Sequence, residues 1–464
     1  MHFMAVVVVM AALGAATPVA APDTPAGKAF SAWLGAFNSG EPAKIETMFK
    51  QFREPRPVAR ALGFRRHTGG FDLKKVLESA PTRIRVLMQE RDGDKMAEGQ
   101  MEVEPAPPHR VTRWDVRAVP RPPEFAMPRM TEAAALEAAR AEIEKQARAD
   151  RFSGAVIIAR NGKVLLSEVR GLQDREKKIP NRVDTKFNLG SMNKMFTAVA
   201  VVKLAQEGKL ELSDPVGKHL PDYPNAEVAK KVTLHHLLTH TGGMGDIFTP
   251  EYDANIAKLN EAKDYITLYG KRPPEFEPGT KWDYSNYGMV VAGAIVERVS
   301  GMSYYEYVRK NVFQPAGMTG SDSYWKNKPT PNLAKGYSGE DGPLHENLAW
   351  LPMRGSPAGG GYSTCEDLLR FASALTGHKL LDADHTKLVT TGKPGTPDES
   401  YGYGFGISND GGVRSFGHGG GAPGINSDLK IFPASGYVVV VMGNYDPPAA
   451  SRVSDFIAAR LPAK

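Results

Sequence analysis

The chain has 464 residues, 41% hydrophobic and 24% charged, with 47 Gly and 35 Pro, a composition that fits a globular protein of two or three domains. Its net charge of +6 lies mostly in residues 1–130 (19 Lys/Arg against 14 Asp/Glu), while residues 131–464 are near neutral (39 against 38), so no dense basic stripe supports nucleic-acid binding. A single cysteine, Cys365, excludes an intramolecular disulfide and a cysteine-built metal cage.

In chain order, residues 3–16 (FMAVVVVMAALGAA) form an apolar run too short to span a bilayer. Small residues and prolines follow, as at the end of a signal peptide. Residues 1–22 are therefore expected to be a signal peptide, cut after Ala16 or Ala20, with the mature chain periplasmic or secreted and without a stable membrane span. Residues 26–50 show two short amphipathic helices around the break Asn38–Pro42. Strand-like stretches follow at 82–90, 95–104 and 110–119, separated by Asp92-Gly93 and by the proline run 105–108. Helices followed by an antiparallel meander predict a small α+β domain over 23–119, a pattern that resembles NTF2-like modules. Pro120, Pro122, Pro123 and Pro128 stiffen a linker over 120–130.

The last domain, 131–464, opens with Thr131 as N-cap of a helix reaching residue 150. GAVIIAR and KVLLSEVRG around Asn161-Gly162 predict a hairpin. A helix opens at Ser191 and stops at Gly208, and a largely helical middle runs to about residue 313. GVRSFGHGG, NSDLKIFP and GYVVVVMGN then read as three sequential strands, and DFIAARL as a closing helix.

Within NLGSMNKMF, Ser191 and Lys194 are three residues apart, which places a hydroxyl and an amine on one face of a helix start. Backbone N–H groups there suit a developing oxyanion. The spacing alone is weak, because Ser323/Lys326 and Ser427/Lys430 repeat it. Ser427 lies on an expected strand, where i and i+3 face opposite ways. Ser323 lies in a proline-bounded loop. Only Ser191 has the helix. A lysine is mostly charged at neutral pH and needs a depressed pKa or a further proton carrier to act as a base. Tyr284, with Asn286 in Tyr-Ser-Asn before another apolar helix, offers a phenol whose ionisation nearby cations would favour. His418, Gly419, Gly420 and Gly421 end a strand whose bare backbone lets a ligand approach closely. His236 and His240 share a helical face, but HHLLTH lacks the glutamate of a zinc protease.

Ser-x-x-Lys, Tyr-x-Asn and a His-Gly-Gly strand, in that order, resemble the serine β-lactamase and penicillin-binding-protein superfamily. LHHLLTHTGGM (234–244) and residues 284–321 are similar to its class C branch almost continuously, and the likeness covers roughly 131–460. The resemblance implies an α+β fold: a β-lactamase-like domain with an antiparallel sheet flanked by helices plus a helical subdomain, here preceded by the small α+β domain. It implies Ser191 as acylated nucleophile, Lys194 and Tyr284 sharing the proton transfers, and Asn286 positioning substrate and lysine. The backbone of Ser191 and Gly421 would form the oxyanion hole, and His418, Gly420 and Gly421 the substrate-binding edge. It implies no metal and no organic cofactor. His418 stands where β-lactamases of this branch carry lysine, and a neutral imidazole does not suit a substrate carboxylate. The expected activity is therefore hydrolysis of a small ester, amide or short peptide, esterase-like first. The alternatives are β-lactamase or D-amino-acid peptidase activity, or a slowly acylated penicillin-binding-type binding protein.

Overall fold

The computed structural model describes residues 19–339 and 343–464. The signal peptide expected over 1–22 thus lies, for residues 1–18, outside the described residues. The chain divides into two compact units, Met1–Phe125 and Ala126–Lys464. No helix among the described residues is long and apolar enough to cross a membrane.

In the first unit, helix α1 (Pro25–Ser39) starts where the Thr24 side chain accepts the Gly27 N–H, and stops at Gly40, whose left-handed φ of 70° ends it. Helix α2 spans Pro42–Phe49, and α3, which the sequence pattern does not announce, spans Val58–Thr68. A four-stranded antiparallel meander follows: β1 (Phe71–Ala80), β2 (Arg83–Glu90), β3 (Met96–Val103) and β4 (Val111–Val119). Strand β1 also escapes the sequence reading. Two register shifts against β2 interrupt its alternation, leaving FDLKKVLESA without a clean period of two. Helix α1 lays Phe30, Trp33 and Phe37 on Val86, Met88, Met101 and Trp114 of the sheet. A Cβ at Gly99 would lie 2.6 Å from the Trp114 indole and 2.9 Å from Met88, so bare backbone on β3 admits the ring.

The second unit opens with α4 (Glu132–Arg148), whose N-cap Thr131 accepts the Ala134 N–H as expected. The hairpin β5 (Gly154–Arg160) and β6 (Lys163–Arg170) turns through Asn161 and Gly162, at φ of 49° and 78°. Two positive φ values in a two-residue turn match the twist of the strands. Strands β7 (Gly406–Asp410), β8 (Val413–Ala422), β9 (Ile425–Phe432) and β10 (Tyr437–Gly443) join them in one antiparallel sheet, ordered β7-β8-β9-β10-β5-β6. The first hairpin is thus zipped to the last strand, so one open sheet joins the two ends of the unit.

Three further helices matter for the site: α5 (Asn193–Gln206), α6 (Asn286–Ser300) and α7 (Cys365–Thr376); α8 (Ala449–Arg460) ends the unit. One sheet face presents Val439 and Val441 to Ala139 and Ile143 of α4 and to Val453 and Ile457 of α8. The other presents Ile157, Val440 and Met442 to the core containing α5, α6 and α7. Strand β10 is buried on both faces, which is why YVVVVMG is a continuous apolar run. Helices α5 and α6 are apolar nearly all round because each is enclosed on all sides. Cys365 is buried at the start of α7 with its Sγ 3.4 Å from the Ala155 carbonyl.

Candidate active site

The turn before α5 is built locally. Asn188 Oδ1 accepts the Gly190 N–H at 2.9 Å, and Gly190 takes a left-handed φ of 50°. Gly190–Met192 form a 3₁₀ turn that runs into α5. The helix expected to open at Ser191 therefore begins as a tighter turn, with the α-helix proper starting at Asn193. Ser191 is partly exposed, while Lys194 is completely buried.

A second segment clamps the helix start. Asn193 donates to the Ser356 carbonyl at 3.0 Å, Lys194 to the Ala358 carbonyl at 2.8 Å and Thr197 to the Pro357 carbonyl at 2.7 Å. Lys194 Nζ also lies 2.7 Å from Asn286 Oδ1, 3.1 Å from Ser191 Oγ, and 4.7 Å from the centre of the Tyr284 ring. Asn286 opens α6, one residue after the N-cap Ser285. Its Nδ2 donates to both carboxylate oxygens of Asp246, at 2.9 and 3.2 Å, which turns its Oδ1 toward the lysine.

Burial pulls the Lys194 pKa down to about 7, opposed by the Asp246 carboxylate. Near neutral pH much of the amine is therefore uncharged. A neutral amine has two hydrogens and one lone pair. The Asn286 and Ala358 oxygens can only accept, so they take the hydrogens and leave the lone pair for the Ser191 hydroxyl. Tyr284 behaves differently from the sequence expectation. Burial raises its phenol well above the ordinary value, opposed by its hydrogen bond with Ser191, so the ring keeps its proton. The expected cationic help fails because burial of the phenol outweighs it and the adjacent Lys194 carries only part of its charge near neutral pH.

Strand β8 forms the opposite wall. Strand β7 ends its pairing with β8 at Gly417, and among the described residues no strand pairs with that side of 418–422. The 3₁₀ turn packs there instead. An ideal Cβ on Gly420 would lie 1.8 Å from the Leu189 carbonyl and 3.2 Å from the Ser191 nitrogen, while one on Gly190 would lie 3.0 Å from the Gly421 nitrogen. The Ser191 and Gly421 backbones thus face one crevice, where two N–H groups can meet a carbonyl oxygen.

His418 belongs to a chain whose hydrogens have one consistent placement. The Gly419 carbonyl can only accept, so His418 Nδ1 carries a proton. At the other end, the Ser285 N–H donates to His240 Nδ1 at 3.2 Å, so the His240 proton sits on Nε2 and points at the Tyr401 hydroxyl, 3.1 Å away. Tyr401 then donates to His418 Nε2 at 2.9 Å. Both nitrogens of His418 are committed. Burial and then the nearby Lys194 push its pKa down to about 4, against the pull of the Gly419 carbonyl. His240 is held well below the ordinary value, chiefly by burial.

The structure thus gathers Ser191, Lys194, Tyr284, Asn286, His418, Gly420 and Gly421 in one place. The competing pairs do not form: Ser427 donates to the Leu189 carbonyl at 3.1 Å while Lys430 pairs with Asp428 and Asp455, and Ser323 donates to the Gly355 carbonyl while Lys326 donates to that of Leu351. Sequence reasoning missed Asp246, the Ala358 carbonyl, Tyr401 and the role of His240. THTGGMGD signals a tight loop, but nothing in it marks the residue that faces Asn286. The three neighbouring histidines are separately engaged. His235 meets the Tyr403 hydroxyl at 2.8 Å, and His236 completes a capping box with Thr233. Among the described residues no group of three or more His, Cys, Asp or Glu side chains is arranged to hold a metal ion.

This fold and site define a serine β-lactamase or penicillin-binding-protein type of domain, and the chain belongs to the Beta-lactamase family, whose profile matches residues 138–464. It is 34% identical over 296 residues to PbpX, a candidate penicillin-binding protein of Bacillus subtilis, a match covering 63% of this chain and 70% of that protein. It is similar to the crystal structure of a penicillin-binding protein from Bacillus halodurans (33% identity, TM-score 0.64, 68% of this chain and 99% of that one). It is also similar to a D-stereospecific amidohydrolase from Streptomyces sp. (26% identity, TM-score 0.60, 69% and 97%).

Proposed function

We propose that this protein is a metal-independent serine hydrolase of the class C type that cleaves small esters, and more slowly amides, through an acyl-enzyme on Ser191. The observation that carries the reading is the buried Lys194 amine, with two carbonyls holding its hydrogens and Ser191 Oγ 3.1 Å from its nitrogen. As Ser191 Oγ attacks the substrate carbonyl, its proton passes to Lys194. The oxyanion that forms is met by the Ser191 and Gly421 N–H groups. Collapse expels the leaving group, which takes a proton from the lysine through the protonated Tyr284 hydroxyl. Water then repeats the sequence on the acyl-serine. Proton transfer of this kind contributes on the order of 10²–10⁴ in rate, and one oxyanion donor about 10²–10³.

Ester preference rests on His418. A neutral imidazole with both nitrogens engaged offers no cation to a substrate carboxylate. Phe248, 63% exposed, adds an apolar surface to the loop that carries Asp246. Amides rank second, supported by the likeness to the Streptomyces amidohydrolase. A fluorophosphonate probe is expected to label the wild type and not Ser191→Ala. A folded wild type that takes no label overturns the proposal. A panel of p-nitrophenyl esters, a chromogenic cephalosporin and D-alanyl peptides then ranks substrates, and a cephalosporin preferred by orders of magnitude overturns the reading of His418.

Two smaller effects follow from the supporting residues. Asp246→Ala frees the Asn286 amide to rotate, and kcat is expected to fall about 10–100-fold with KM little changed, since a misplaced group costs on this scale. Tyr401→Phe removes the donor to His418 Nε2, and NMR titration is expected to show a small rise of the His418 pKa from about 4, still well below the ordinary value because burial and Lys194 are unchanged. An unchanged titration would show that the assigned proton order is wrong.

A further inference from the structure

The first unit contains a cavity of about 400 Å³ that the chemistry at Ser191 does not use. Its wall is aromatic: Trp33, Phe37, Phe64 and Trp114 line it, with Trp33 and Phe37 stacked at 4.9 Å and Trp33 and Trp114 at 4.4 Å between ring centres. Arg56 and Arg60 are the charged lining residues, and no carboxylate lines it. Both arginines are exposed, and among the described residues neither forms an ion pair. Arg56 lies over the Phe52 ring at 5.2 Å, which holds the guanidinium near the apolar surface. Pro57, the N-cap of α3, is on the same wall, so the start of that helix adds to the positive potential. A cavity of this size, mostly apolar and with a few polar groups of one sign, is built like a small-molecule site.

We propose that this cavity binds a small amphipathic carboxylate, an aromatic or medium-chain acid whose apolar body lies on the exposed Phe64 ring against the Trp33–Trp114 wall while its carboxylate meets Arg56 and Arg60. Charge complementarity selects this occupant. A neutral body of the same shape leaves the two guanidinium groups unanswered, and a cation is repelled by them. Guanidinium is also the side chain best shaped for a carboxylate, through paired parallel N–H bonds. The site is independent of the hydrolytic reading, since no residue of it takes part at Ser191.

Titration calorimetry on the full chain, with octanoate and 1-naphthylacetate as probes and octanamide as the neutral control, tests the proposal. Saturable binding of the acids is expected, at least about tenfold tighter than the amide and weakening as salt is added. The double variant Arg56→Gln/Arg60→Gln is expected to weaken acid binding about tenfold while leaving ester hydrolysis and folding unchanged. Ala61→Phe, which fills the cavity, is expected to weaken acid and amide alike. Equal affinity for octanoate and octanamide, binding unaffected by the double variant, or no saturation in the millimolar range would each overturn it. So would octanoate binding that is lost on blocking Ser191 with fluorophosphonate, since that places the acid in the catalytic crevice.

Discussion

Lys194→Met is expected to lower kcat/KM for a p-nitrophenyl ester by about 10³-fold or more, because it removes the proton acceptor and leaves the rest of the site in place. The methionine chain fills the same space. The protein is expected to stay folded, since two opposing changes accompany the swap. The Asn286 and Ala358 oxygens lose a donor, and a buried amine no longer has to be kept from water. The wild-type activity should rise with pH through about 7, the value to which burial lowers Lys194, and any residual activity of the variant should lack that limb. The same group sets a stability trend. Its folded pKa lies below the ordinary 10.5, so between about 7 and 10.5 the unfolded chain binds more protons than the folded one. Wild-type stability therefore gains from this group as pH rises across that window, and Lys194→Met loses the gain. Denaturant midpoints measured at pH 7 and pH 10 for both proteins check the sign. Full activity in the variant would remove Lys194 from the mechanism.

Gly420→Ala is the second large effect. Its added methyl would have to occupy a point 1.8 Å from the Leu189 carbonyl, and both partners are backbone, so neither can swing aside. Strand β8 and the serine turn must separate, which misplaces the Ser191 and Gly421 N–H groups together. A loss of about 10²–10³ in kcat is expected, with a stability cost of about 1–3 kcal/mol from overpacking. Gly419→Ala is the matched control. A Cβ there meets nothing nearer than the Ser427 carbonyl at 3.6 Å, an ordinary contact, and its kinetics should stay within severalfold of wild type. If the two alanine variants behave alike, the crevice is not set by the packing at Gly420.

What was legible in the sequence follows a physical divide. The β5–β6 hairpin is written in two adjacent turn residues, and α4 in a threonine cap and a helical stripe. Strand β10 is an unbroken apolar run. Ser191, Lys194, Tyr284, Asn286 and the glycines of β8 carry local chemistry at fixed spacing, so they could be picked out before their contacts were known. Asp246, Tyr401 and the Ala358 carbonyl act only through contacts 40, 17 and 164 residues away in the chain. Nothing in their own neighbourhoods distinguishes them from other loop residues. The ionisation of Tyr284 was misjudged for a related reason. Residue types suggested two charges side by side, whereas depth of burial decides which groups carry charge at all.

The one-way order of hydrogens through His240, Tyr401 and His418 also constrains how such a site can evolve. Lysine at 418 has only hydrogens to offer, so the Tyr401 oxygen could accept one beside the His240 hydrogen, but the Tyr401 hydrogen would lose the acceptor it has in His418 Nε2. Changing Tyr401 first leaves His418 Nε2 without its donor. Each single change leaves a buried group without its partner, and the paired change removes the conflict at 418 while still leaving the His240 Nε2 hydrogen without its acceptor. His418→Lys should therefore be rescued in part by Tyr401→Phe, and the non-additivity of the two would measure that conflict.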